Sequence, residues 1–394
     1  MDETLLVINC GSSSLKLSLF RNTDLSDRID ALAERLGSSS ARLRIDGWAD
    51  QPSLEAGAGH LQALQTLIEA LQQSGDLKGP PRGIGHRVVH GGESFHEPAL
   101  INEEVIAAIE DCSSLAPLHN PANLTGIRAT LELYPNVPQV AVFDTAFHQT
   151  IPPRAFRYAL PRRFYEDLGV RRYGFHGTSH AYLLGAFASQ SGKTADKTSI
   201  ISAHLGNGCS ICAINNGESQ DISMGLTPLE GLVMGTRSGD VDPGLFEFAE
   251  RQGIDAQELT RILNNESGLA GLSELSNDMR TIVESADQGN EACQLAIEVF
   301  CFRLARYIGA MMASLSQLDG LVFTGGIGEN SARIRSQTVA QLSLLGFELD
   351  ENANRHHGKD RGGRIEAATS RFPIAVIATD EESMIASAAL KLSH

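Results

Sequence analysis

The sequence predicts an α/β protein with a mixed sheet in each of two related halves. Segments with the period of a strand alternate with helical segments along the 394 residues, and this length exceeds the usual range of one domain. A pattern of strand, polar residue, apolar residue and glycine occurs at Val7–Gly11 and recurs at Ser202–Gly206. Because each occurrence opens one half, the recurrence indicates a duplicated fold.

The first half begins with a hairpin, because strand patterns at Leu5–Asn9 and Leu15–Phe20 flank a turn of glycine and serine. Leucine and isoleucine recur at the helical period within His60–Gln73, which predicts a helix. An apolar strand at Val137–Phe143 places Asp144 at its end. The other predicted elements of this half are a continuation of the sheet within Asp30–Ile45, a strand at Ile84–His90, and helices at Val105–Cys112 and Ala122–Tyr134.

The second half follows an irregular connection at residues 150–175 and repeats the hairpin. Its clearest element is a helix at residues 291–318, where one apolar stripe recurs every three or four residues. The stripe contains methionine, which we interpret as core. The other predicted elements are helices at His180–Ser191, Ala332–Leu345 and Ser383–Leu392, and strands at Ser199–Leu205, Ser210–Asn215, Leu321–Phe323 and Ile374–Ala378.

The composition excludes several classes of function. A formal net charge of −16 argues against general binding to nucleic acid or to an anionic membrane. No run of about twenty apolar residues predicts a membrane span, and the acidic start Met1-Asp2-Glu3 lacks the basic region of a signal peptide. The six cysteines are sparse and lie mostly in apolar stretches, as in a reducing compartment. We therefore expect a cytoplasmic protein without nucleic-acid or membrane partners.

Three glycine-rich turns each follow an apolar strand pattern, at Asn9–Ser14, His204–Ser210 and Gly325–Asn330. A strand that ends in glycine and small hydroxyl residues brings backbone N–H groups close to an anion. Three such turns predict a protein that holds a polyphosphate. The first turn is followed by Lys16 but is not a Walker P-loop, since the GxxxxGK[ST] pattern is absent. The alternative for any one of them is an ordinary hairpin turn.

A candidate pocket for a small carboxylic acid lies in the segment His86–Gly92. Side chains alternate along a strand, so Arg87 and Val89 share a face. The guanidinium suits the carboxylate and the valine suits a methyl group. The alternative is an edge-strand arginine in an ordinary salt bridge. Asp144 lies at a strand end, where ligands collect in α/β sheets. It suits a Mg²⁺ site or the orientation of a nucleophile, and the alternative is a helix cap.

Two further side chains suit the transfer of a phosphoryl group. His176 stands between glycines in Arg172–His180, where it can donate a hydrogen bond to the transferring group. The alternative is a metal pair with His180, although the glutamate of the HExxH motif is missing. Arg237 lies in the glycine-containing segment Gly235–Pro243, which we expect to be a flexible loop that closes over developing charge. The alternative is a solvent-exposed arginine.

Taken together, these segments closely resemble the acetokinase family, from the first strand to the last helix. The matching segments are Val7–Lys16, His86–Glu93, Leu118–Pro121, Phe143–Gln149, Tyr173–His180, His204–Ser210, Gly235–Pro243, Gly325–Asn330 and Thr379–Glu382. The resemblance implies two duplicated domains of the actin, Hsp70 and sugar-kinase (ribonuclease H-like) class with a central cleft. It also implies a homodimer and reversible phosphoryl transfer from ATP to acetate, with Mg²⁺ or alternatively Mn²⁺.

The resemblance also implies roles for residues at matching positions. The catalytic set is Arg87, Asp144, His176 and Arg237, the acetate pocket is Arg87, Val89, Leu118 and Pro228, and the metal pair is Asn9 and Glu381. The implied phosphate and nucleotide contacts are Ser12, Ser14, Lys16, His204, Leu205, Gly206, Asn207, Gly208, Asp278, Met279, Arg280, Gly325, Gly326, Ile327, Gly328 and Asn330.

One position departs from the family pattern, because Asp380 stands where many relatives carry asparagine. We expect its extra carboxylate either to tighten Mg²⁺ or to perturb Glu381. The implied domains are residues 1–148 with 383–394, whose last helix returns to the first domain, and residues 149–382, which bind the nucleotide. The alternatives are a propionate or butyrate kinase of the same family and, from another class, an ATP-driven conformational module.

Overall fold

The computed structural model describes residues 3–117 and 119–393. The chain divides into two compact units, one formed by Met1–Phe147 with Asp380–His394 and the other by His148–Thr379. The strands are β1 (Leu5–Cys10), β2 (Ser14–Phe20), β3 (Arg28–Glu34), β4 (Arg42–Ile45), β5 (Gly83–Val88), β6 (Ala99–Leu100), β7 (Gln139–Phe143), β8 (Ile200–Leu205), β9 (Cys209–Asn215), β10 (Glu218–Ile222), β11 (Gly320–Thr324) and β12 (Ile374–Val376).

The helices are α1 (His60–Ser74), α2 (Glu103–Asp111), α3 (Asn120–Leu133), α4 (Pro153–Phe156), α5 (Arg163–Glu166), α6 (Gly177–Gln190), α7 (Leu245–Arg251), α8 (Ala256–Asn265), α9 (Gly268–Ser273), α10 (Met279–Asp287), α11 (Glu291–Met312), α12 (Gly325–Asn330), α13 (Ala332–Ala340), α14 (Glu351–Arg355) and α15 (Glu381–Leu392). Across residues 3–117 and 119–393, no helix combines the length and the apolar character that crossing a bilayer requires.

The first unit is built on a seven-stranded sheet with the order β4-β3-β2-β1-β5-β7-β6. Strand β1 pairs antiparallel with β2 and parallel with β5, and β5 pairs parallel with β7. Parallel strands end at one edge of the sheet, where ligands collect. This edge brings together the end of β1, Arg87 near the end of β5, and Asp144 directly after β7.

Helices cover both faces of β1, which explains its almost uninterrupted apolar sequence. Leu6 and Ile8 are buried in a core that includes residues of α1. Leu5 and Val7 point to the opposite face and are buried with Ile385 and other residues of α15. Helix α15 therefore forms part of the first unit, and its first residues lie near the ligand-binding edge.

The second unit repeats this arrangement in a five-stranded sheet with the order β10-β9-β8-β11-β12. Strands β8 and β9 form an antiparallel hairpin, and β8, β11 and β12 are parallel, in the same way as β1, β5 and β7. The predicted α/β fold with a mixed sheet in each half is confirmed. Helix α11 buries the predicted stripe as far as Met311.

Some boundaries differ from the predictions. Strand β5 ends at Val88 instead of His90, and α6 begins at Gly177, three residues earlier than predicted. The start of α6 is fixed by His176, whose backbone takes the left-handed conformation with φ of 58°. Helix α11 ends at Met312, before the predicted end at residue 318.

Other elements were not predicted at all. Strand β10 has the sequence ESQDI, whose polar residues conceal a strand that pairs with β9. Helices α7–α10 lie in a region that the sequence analysis left without elements. The third glycine-rich turn is not a turn, because Gly325–Asn330 forms the short helix α12. Gly325 has a φ of +77°, and a Cβ there would lie 2.7 Å from the carbonyl oxygen of Leu205, so the position requires glycine.

Candidate active site

The turn between β1 and β2 presents backbone N–H groups at the edge of the first sheet. The N–H of Gly11 donates to the carbonyl of Ser14 at 2.9 Å and closes the turn. The N–H groups of Ser12 and Ser13 have no acceptor among the described residues, and both residues are exposed. Successive amides of this kind bind anions. The turn is therefore suited to a phosphate group, as its sequence predicts.

Side chains that the sequence analysis did not single out hold this turn in place. Asn123 donates to the carbonyl of Cys10 at 2.8 Å and accepts from the N–H of Val89 at 3.0 Å. The His60 ring donates from Nε2 to the carbonyl of Gly11 at 2.7 Å. Asn123 thus ties the end of β1 to the residue after β5, which fixes the first turn relative to Val89.

Arg87 and Asp144 form an ion pair at this edge. The carboxylate of Asp144 accepts from Nη2 at 2.6 Å and from Nε at 3.1 Å. The side chain of Asp144 is 1% exposed and that of Arg87 is 22% exposed. No acceptor among the described residues contacts Nη1 of Arg87, so one edge of the guanidinium is held while the other can bind a carboxylate.

Two glutamates of α15 complete what we call the Arg87 cluster, which consists of Arg87, Asp144, Lys16, Glu381 and Glu382. Glu381 Oε2 lies 3.9 Å from Nε of Arg87, and Glu382 pairs with Lys16. Burial raises the pKa of Glu381; Arg87 opposes the shift and Glu382 adds to it. Burial alone would lower the pKa of Arg87, but the charges of Asp144 and Glu381 raise it. Three carboxylates thus face two cations.

Asp380 caps helix α15. Its carboxylate accepts from the N–H of Ser383 at 3.1 Å and pairs with Arg28 at 2.6 Å. Burial raises the pKa of this carboxyl, but Ser383 and Arg28 lower it more. The contacts with the Ser383 N–H and with Arg28 fall on Oδ1, and the hydroxyl of Ser383 donates to Oδ2 at 2.5 Å. Both oxygens are therefore engaged by the protein, and a structural role accounts for the departure from the family pattern. Its charge also adds, as a minor contribution, to the raised pKa of Glu381.

Asp380→Ala is expected to destabilise the protein by about 1 kcal/mol, because it removes the helix cap. Asp380→Asn should retain the cap and most of the stability, although it loses the Arg28 ion pair. Since the folded pKa of Asp380 is lowered, its stabilising contribution is present above the unfolded pKa and is lost as pH falls through the folded value. Thermal unfolding of both variants at neutral and acidic pH tests this. Equal stability of Asp380→Ala and wild type at neutral pH would contradict it.

The hairpin turn between β8 and β9 resembles the first. The N–H of Gly206 donates to the carbonyl of Gly208 at 3.0 Å, and the carbonyl of Asn207 accepts from Gly235 at 2.8 Å. In the part of the chain that the structure describes, the N–H groups of Asn207 and Gly208 have no acceptor. This second turn therefore also offers successive amides to an anion.

His176 lies beside the second turn. Its ring stacks on that of His204 with centroids 4.3 Å apart, and its Nδ1 is 2.9 Å from Ser210 Oγ. A Cβ at Gly208 would lie 3.4 Å from Nε2 of His176 and 3.8 Å from Nη1 of Arg237. The imidazole of His176 and the guanidinium of Arg237, both predicted from the sequence, thus lie next to the amides of the second turn.

Arg237 lies in a segment that is less loose than predicted. The backbone of this segment is hydrogen-bonded from Met234 to Arg237 at 3.1 Å and from Ser238 to Leu263 at 3.0 Å. The side chain is half-buried, and Nη1 donates to the carbonyl of Pro228 at 3.4 Å. Burial lowers the pKa of Arg237. The expected flexible loop is instead an irregular segment held by backbone hydrogen bonds. Pro228, a predicted pocket residue, lies against the guanidinium.

A cavity of about 870 Å³ opens beside the second turn. Its lining residues are Gly206, Asn207, Asn277, Asp278, Met279, Arg280, Val283, Glu284, Gly326, Ile327, Asn330, Ser331, Ala332 and Arg333. Eight of these were predicted from the sequence: Gly206, Asn207, Asp278, Met279, Arg280, Gly326, Ile327 and Asn330. Val283 and Glu284 were missed, although they follow Met279 and Arg280 at the spacing of one helical turn. Such a concave site in one unit suits a nucleoside.

Leu205, Gly325 and Gly328 are among the implied phosphate and nucleotide contacts that do not line this cavity. Leu205 is fully buried within the sheet. A Cβ at position 325 would lie 2.7 Å from the carbonyl oxygen of Leu205, whereas a Cβ at position 328 would make only ordinary contacts with Phe323 and Leu205, at 3.5 and 3.6 Å. Gly325 is therefore required where α12 packs against β8. The nucleotide contacts of Leu205, Gly325 and Gly328 stay predictions, while Gly326, which has open space around its Cα, lines the cavity.

The buried Arg335 supports α12 from behind. Its Nη1 donates to the carbonyls of Gly328 at 2.7 Å and Glu329 at 2.9 Å, and its Nε donates to Asn354 at 2.8 Å. Burial lowers the pKa of Arg335 to about 10. No motif pointed to this residue, because its importance comes from partners that are distant in sequence.

The structure brings the predicted residues together in two groups. The Arg87 cluster, Val89 and the first turn lie in the first unit, and Asn9 is paired in register with Lys16 at the end of β1. The second unit carries the group around His176 and Arg237, with the cavity beside the second turn. Leu118, a predicted pocket residue, lies outside the described residues.

Comparison with known proteins finds similarity along the full length. The model of the Acetokinase family matches residues 4–387. Acetate kinase from Stutzerimonas stutzeri is 52% identical over 386 residues, which cover 98% of this chain and 97% of that protein. A solved propionate kinase from Francisella tularensis has a TM-score of 0.94 at 42% identity, covering 99% of this chain and 100% of that one. Porphyromonas gingivalis acetate kinase has a TM-score of 0.91 at 40% identity, covering both chains completely.

Proposed function

Because this chain belongs to the acetokinase family, we propose that it catalyses reversible phosphoryl transfer from ATP to acetate, giving acetyl phosphate and ADP. It is an ATP-dependent kinase with a carboxyl group as acceptor, and its fold is that of actin and the sugar kinases. Within the site, the observation that carries the proposal is the partly buried Arg87, which has one guanidinium edge held by Asp144 and no acceptor at the other edge among residues 3–117 and 119–393.

In the proposed reaction the first unit binds the acceptor. Nη1 of Arg87 binds the acetate carboxylate, while Asp144 keeps the guanidinium in one orientation. The methyl group lies against Val89. Leu118 and Pro228 are pocket residues only by their resemblance to family positions, and Pro228 belongs to the second unit. The carboxylate oxygen attacks the γ-phosphorus of ATP directly, because positioned reactants need no covalent enzyme intermediate.

The second unit supplies the groups that stabilise the transferring phosphoryl group. Charge spreads over its equatorial oxygens in the transition state, where a guanidinium and an N–H donor are most effective. Arg237 and Nε2 of His176 lie together beside Gly208 and suit this task. The amides of the first turn, with Lys16, and those of the second turn, with His204, each suit a phosphate, and the cavity beside Asn207 holds the adenosine.

We propose Mg²⁺ as the cation, with Mn²⁺ as a second candidate, and Asn9 and Glu381 as the residues that hold it. The excess of carboxylates in the Arg87 cluster fits a cation. Residues 3–117 and 119–393 contain no group of three or more His, Cys, Asp or Glu arranged for a metal. Mg²⁺ commonly keeps several waters and binds substrate phosphates. It would offset phosphate charge.

Three further properties belong to the proposal. We propose that the two compact units are the N-terminal and C-terminal domains and that the protein is a homodimer. The exposed apolar residues Phe246, Phe248 and Phe302 of the second unit support an interface there. We propose a cytoplasmic location, which the free thiols of all six cysteines support.

Formation of acetyl hydroxamate tests the reaction directly. With ATP, Mg²⁺ and hydroxylamine, we expect product from acetate and ADP release that depends on acetate. A panel of acetate, propionate and butyrate separates this function from the second candidate, a propionate kinase, which the similarity to the Francisella enzyme favours. Higher kcat/KM for propionate than for acetate would favour the second candidate, and ATP hydrolysis indifferent to any acid would contradict both.

Val89→Ala is expected to raise the ratio of kcat/KM for propionate to that for acetate about tenfold, since one methylene in an apolar pocket changes selectivity by about 10- to 200-fold. Val89 is 5% exposed, so its truncation opens space in the proposed pocket. Val88→Ala is the matched control, because Val88 is buried in the core with Ile106 and Phe143. It should lower stability without changing the ratio. An unchanged ratio in Val89→Ala would remove Val89 from the pocket.

A further inference from the structure

A buried chain of hydrogen bonds runs from the interior of the second unit to His176. Ser210 Oγ lies 2.9 Å from Nδ1 of His176 and 2.8 Å from Nε2 of His180. The other ring nitrogen of His180, Nδ1, lies 2.7 Å from Ser202 Oγ. His180, Ser202 and Ser210 are all fully buried. We call this set the serine–histidine chain.

Secondary structure fixes every member of this chain. His176 is the N-cap of α6 and His180 lies in its first turn, and both rings reach Ser210 Oγ. Ser210 of β9 pairs with His204 of β8, and Ser202 lies two residues before His204 on the same face of the sheet. Both ring nitrogens of His180 are engaged by serines, which argues against the metal pair considered from the sequence.

The number of hydrogens in the serine–histidine chain requires all its hydrogen bonds to run in one direction. A serine hydroxyl carries one hydrogen and a neutral imidazole carries one N–H, so each member donates once along the chain. Burial and the neighbouring histidines lower the pKa of His180 well below its ordinary value, so the ring is neutral. The two possible directions differ in which nitrogen of His176 carries its hydrogen.

Ser202 decides between these directions. Among the described residues, the only partner of its hydroxyl is Nδ1 of His180. If that nitrogen carried the hydrogen, the buried hydroxyl of Ser202 would have no acceptor, at a cost of about 1–3 kcal/mol. Ser202 therefore donates to His180, whose Nε2–H donates to Ser210, and Ser210 donates to Nδ1 of His176. The hydrogen of neutral His176 is then on Nε2.

We propose that Ser210, supported by His180 and Ser202, is a positioning residue that fixes His176 in its Nε2–H tautomer. This inference rests on the proposed function, because it gives the N–H that faces Gly208 and Arg237 its use as a donor to the transferring phosphoryl group. A wrong tautomer would turn a lone pair towards that anion and repel it. The chain also fixes the ring plane, so the donor need not be oriented during the reaction.

Nitrogen-15 spectra of the histidine rings test the tautomer without reference to catalysis. In wild-type protein, with the His176 signals assigned by their loss in His176→Gln, we expect protonated Nε2 and unprotonated Nδ1. In Ser210→Ala we expect tautomer exchange. Ser219→Ala is the matched control, because Ser219 bonds Nδ1 of His148 at 2.9 Å in another buried pair and should leave His176 unchanged.

Kinetics supply the second measurement. Ser210→Ala is expected to lower kcat about tenfold with little change in KM for ATP or acetate, since a misoriented donor acts mainly in the transition state. Ser210→Thr retains the hydroxyl and should restore most of the loss. A wild-type Nδ1–H tautomer, or identical His176 spectra in wild type and Ser210→Ala, would overturn the inference. Absence of acetate kinase activity in wild-type protein with the expected tautomer would instead contradict the proposed function.

Discussion

Arg237→Ala is expected to reduce kcat by about 10³- to 10⁵-fold, the range by which arginines stabilise phosphoryl-transfer transition states. The guanidinium is partly desolvated and lies beside the second turn, so its charge acts strongly on a phosphoryl group there. KM for acetate should change little, because the proposed acceptor site is built around Arg87. Steady-state kinetics with saturating ATP and Mg²⁺ measure both constants.

The fold should survive the Arg237 substitution. The side chain makes one weak hydrogen bond, 3.4 Å to the carbonyl of Pro228, and the surrounding backbone bonds do not involve it. Exogenous guanidinium should restore part of the activity of Arg237→Ala. Arg251→Ala is the control, because Arg251 is an exposed arginine paired with Glu247 and should retain wild-type activity. A folded Arg237→Ala with wild-type kcat would remove Arg237 from the catalytic set.

Strands β1, β8 and β11 could be predicted because they are apolar runs that glycine follows directly, whereas the polar sequence of β10 gave no such signal. The helix α12 could not, since four of its six residues before Ser331 are glycine or asparagine, which favour turns. It forms because Glu329 accepts from the N–H of Gly325 at 2.9 Å and Arg335 holds its last carbonyls. Tertiary contacts thus outweigh the local preference.

The site residues themselves could be predicted in kind, but their partners could not. Arg87 and Asp144 are 57 residues apart, and their pairing depends on β5 lying next to β7 in the sheet. From the sequence, Arg87 is predicted to bind the acceptor carboxylate, and Asp144 is predicted to bind Mg²⁺ or to orient a nucleophile. Ser210 could be recognised from the sequence only as the end of a glycine-rich turn. Its two histidine partners, at the start of α6, are distant in sequence and contact it because α6 lies next to β9.

The Arg87–Asp144 pair makes Arg87→Ala the second large effect, with an expected loss in kcat/KM for acetate of about 10³-fold. Removing a preorganised charged donor at an active site costs about 10²- to 10³-fold, and the substitution also leaves the carboxylate of Asp144 buried without its partner. Because that unpaired charge lowers stability, activity must be measured well below the unfolding transition, with circular dichroism to verify the fold.

Two companion variants separate acceptor binding from the loss of the ion pair. Arg87→Lys retains a positive charge but lacks the planar fork, so it cannot hold Asp144 by two bonds while binding acetate. It should regain stability but remain at least about tenfold below wild type in kcat/KM. The double variant Arg87→Ala/Asp144→Ala should regain part of the stability, since Asp144 no longer remains buried without its partner, yet stay inactive. If the double variant recovered activity along with stability, Arg87 would be a structural partner of Asp144 and the acceptor carboxylate would have to be bound elsewhere.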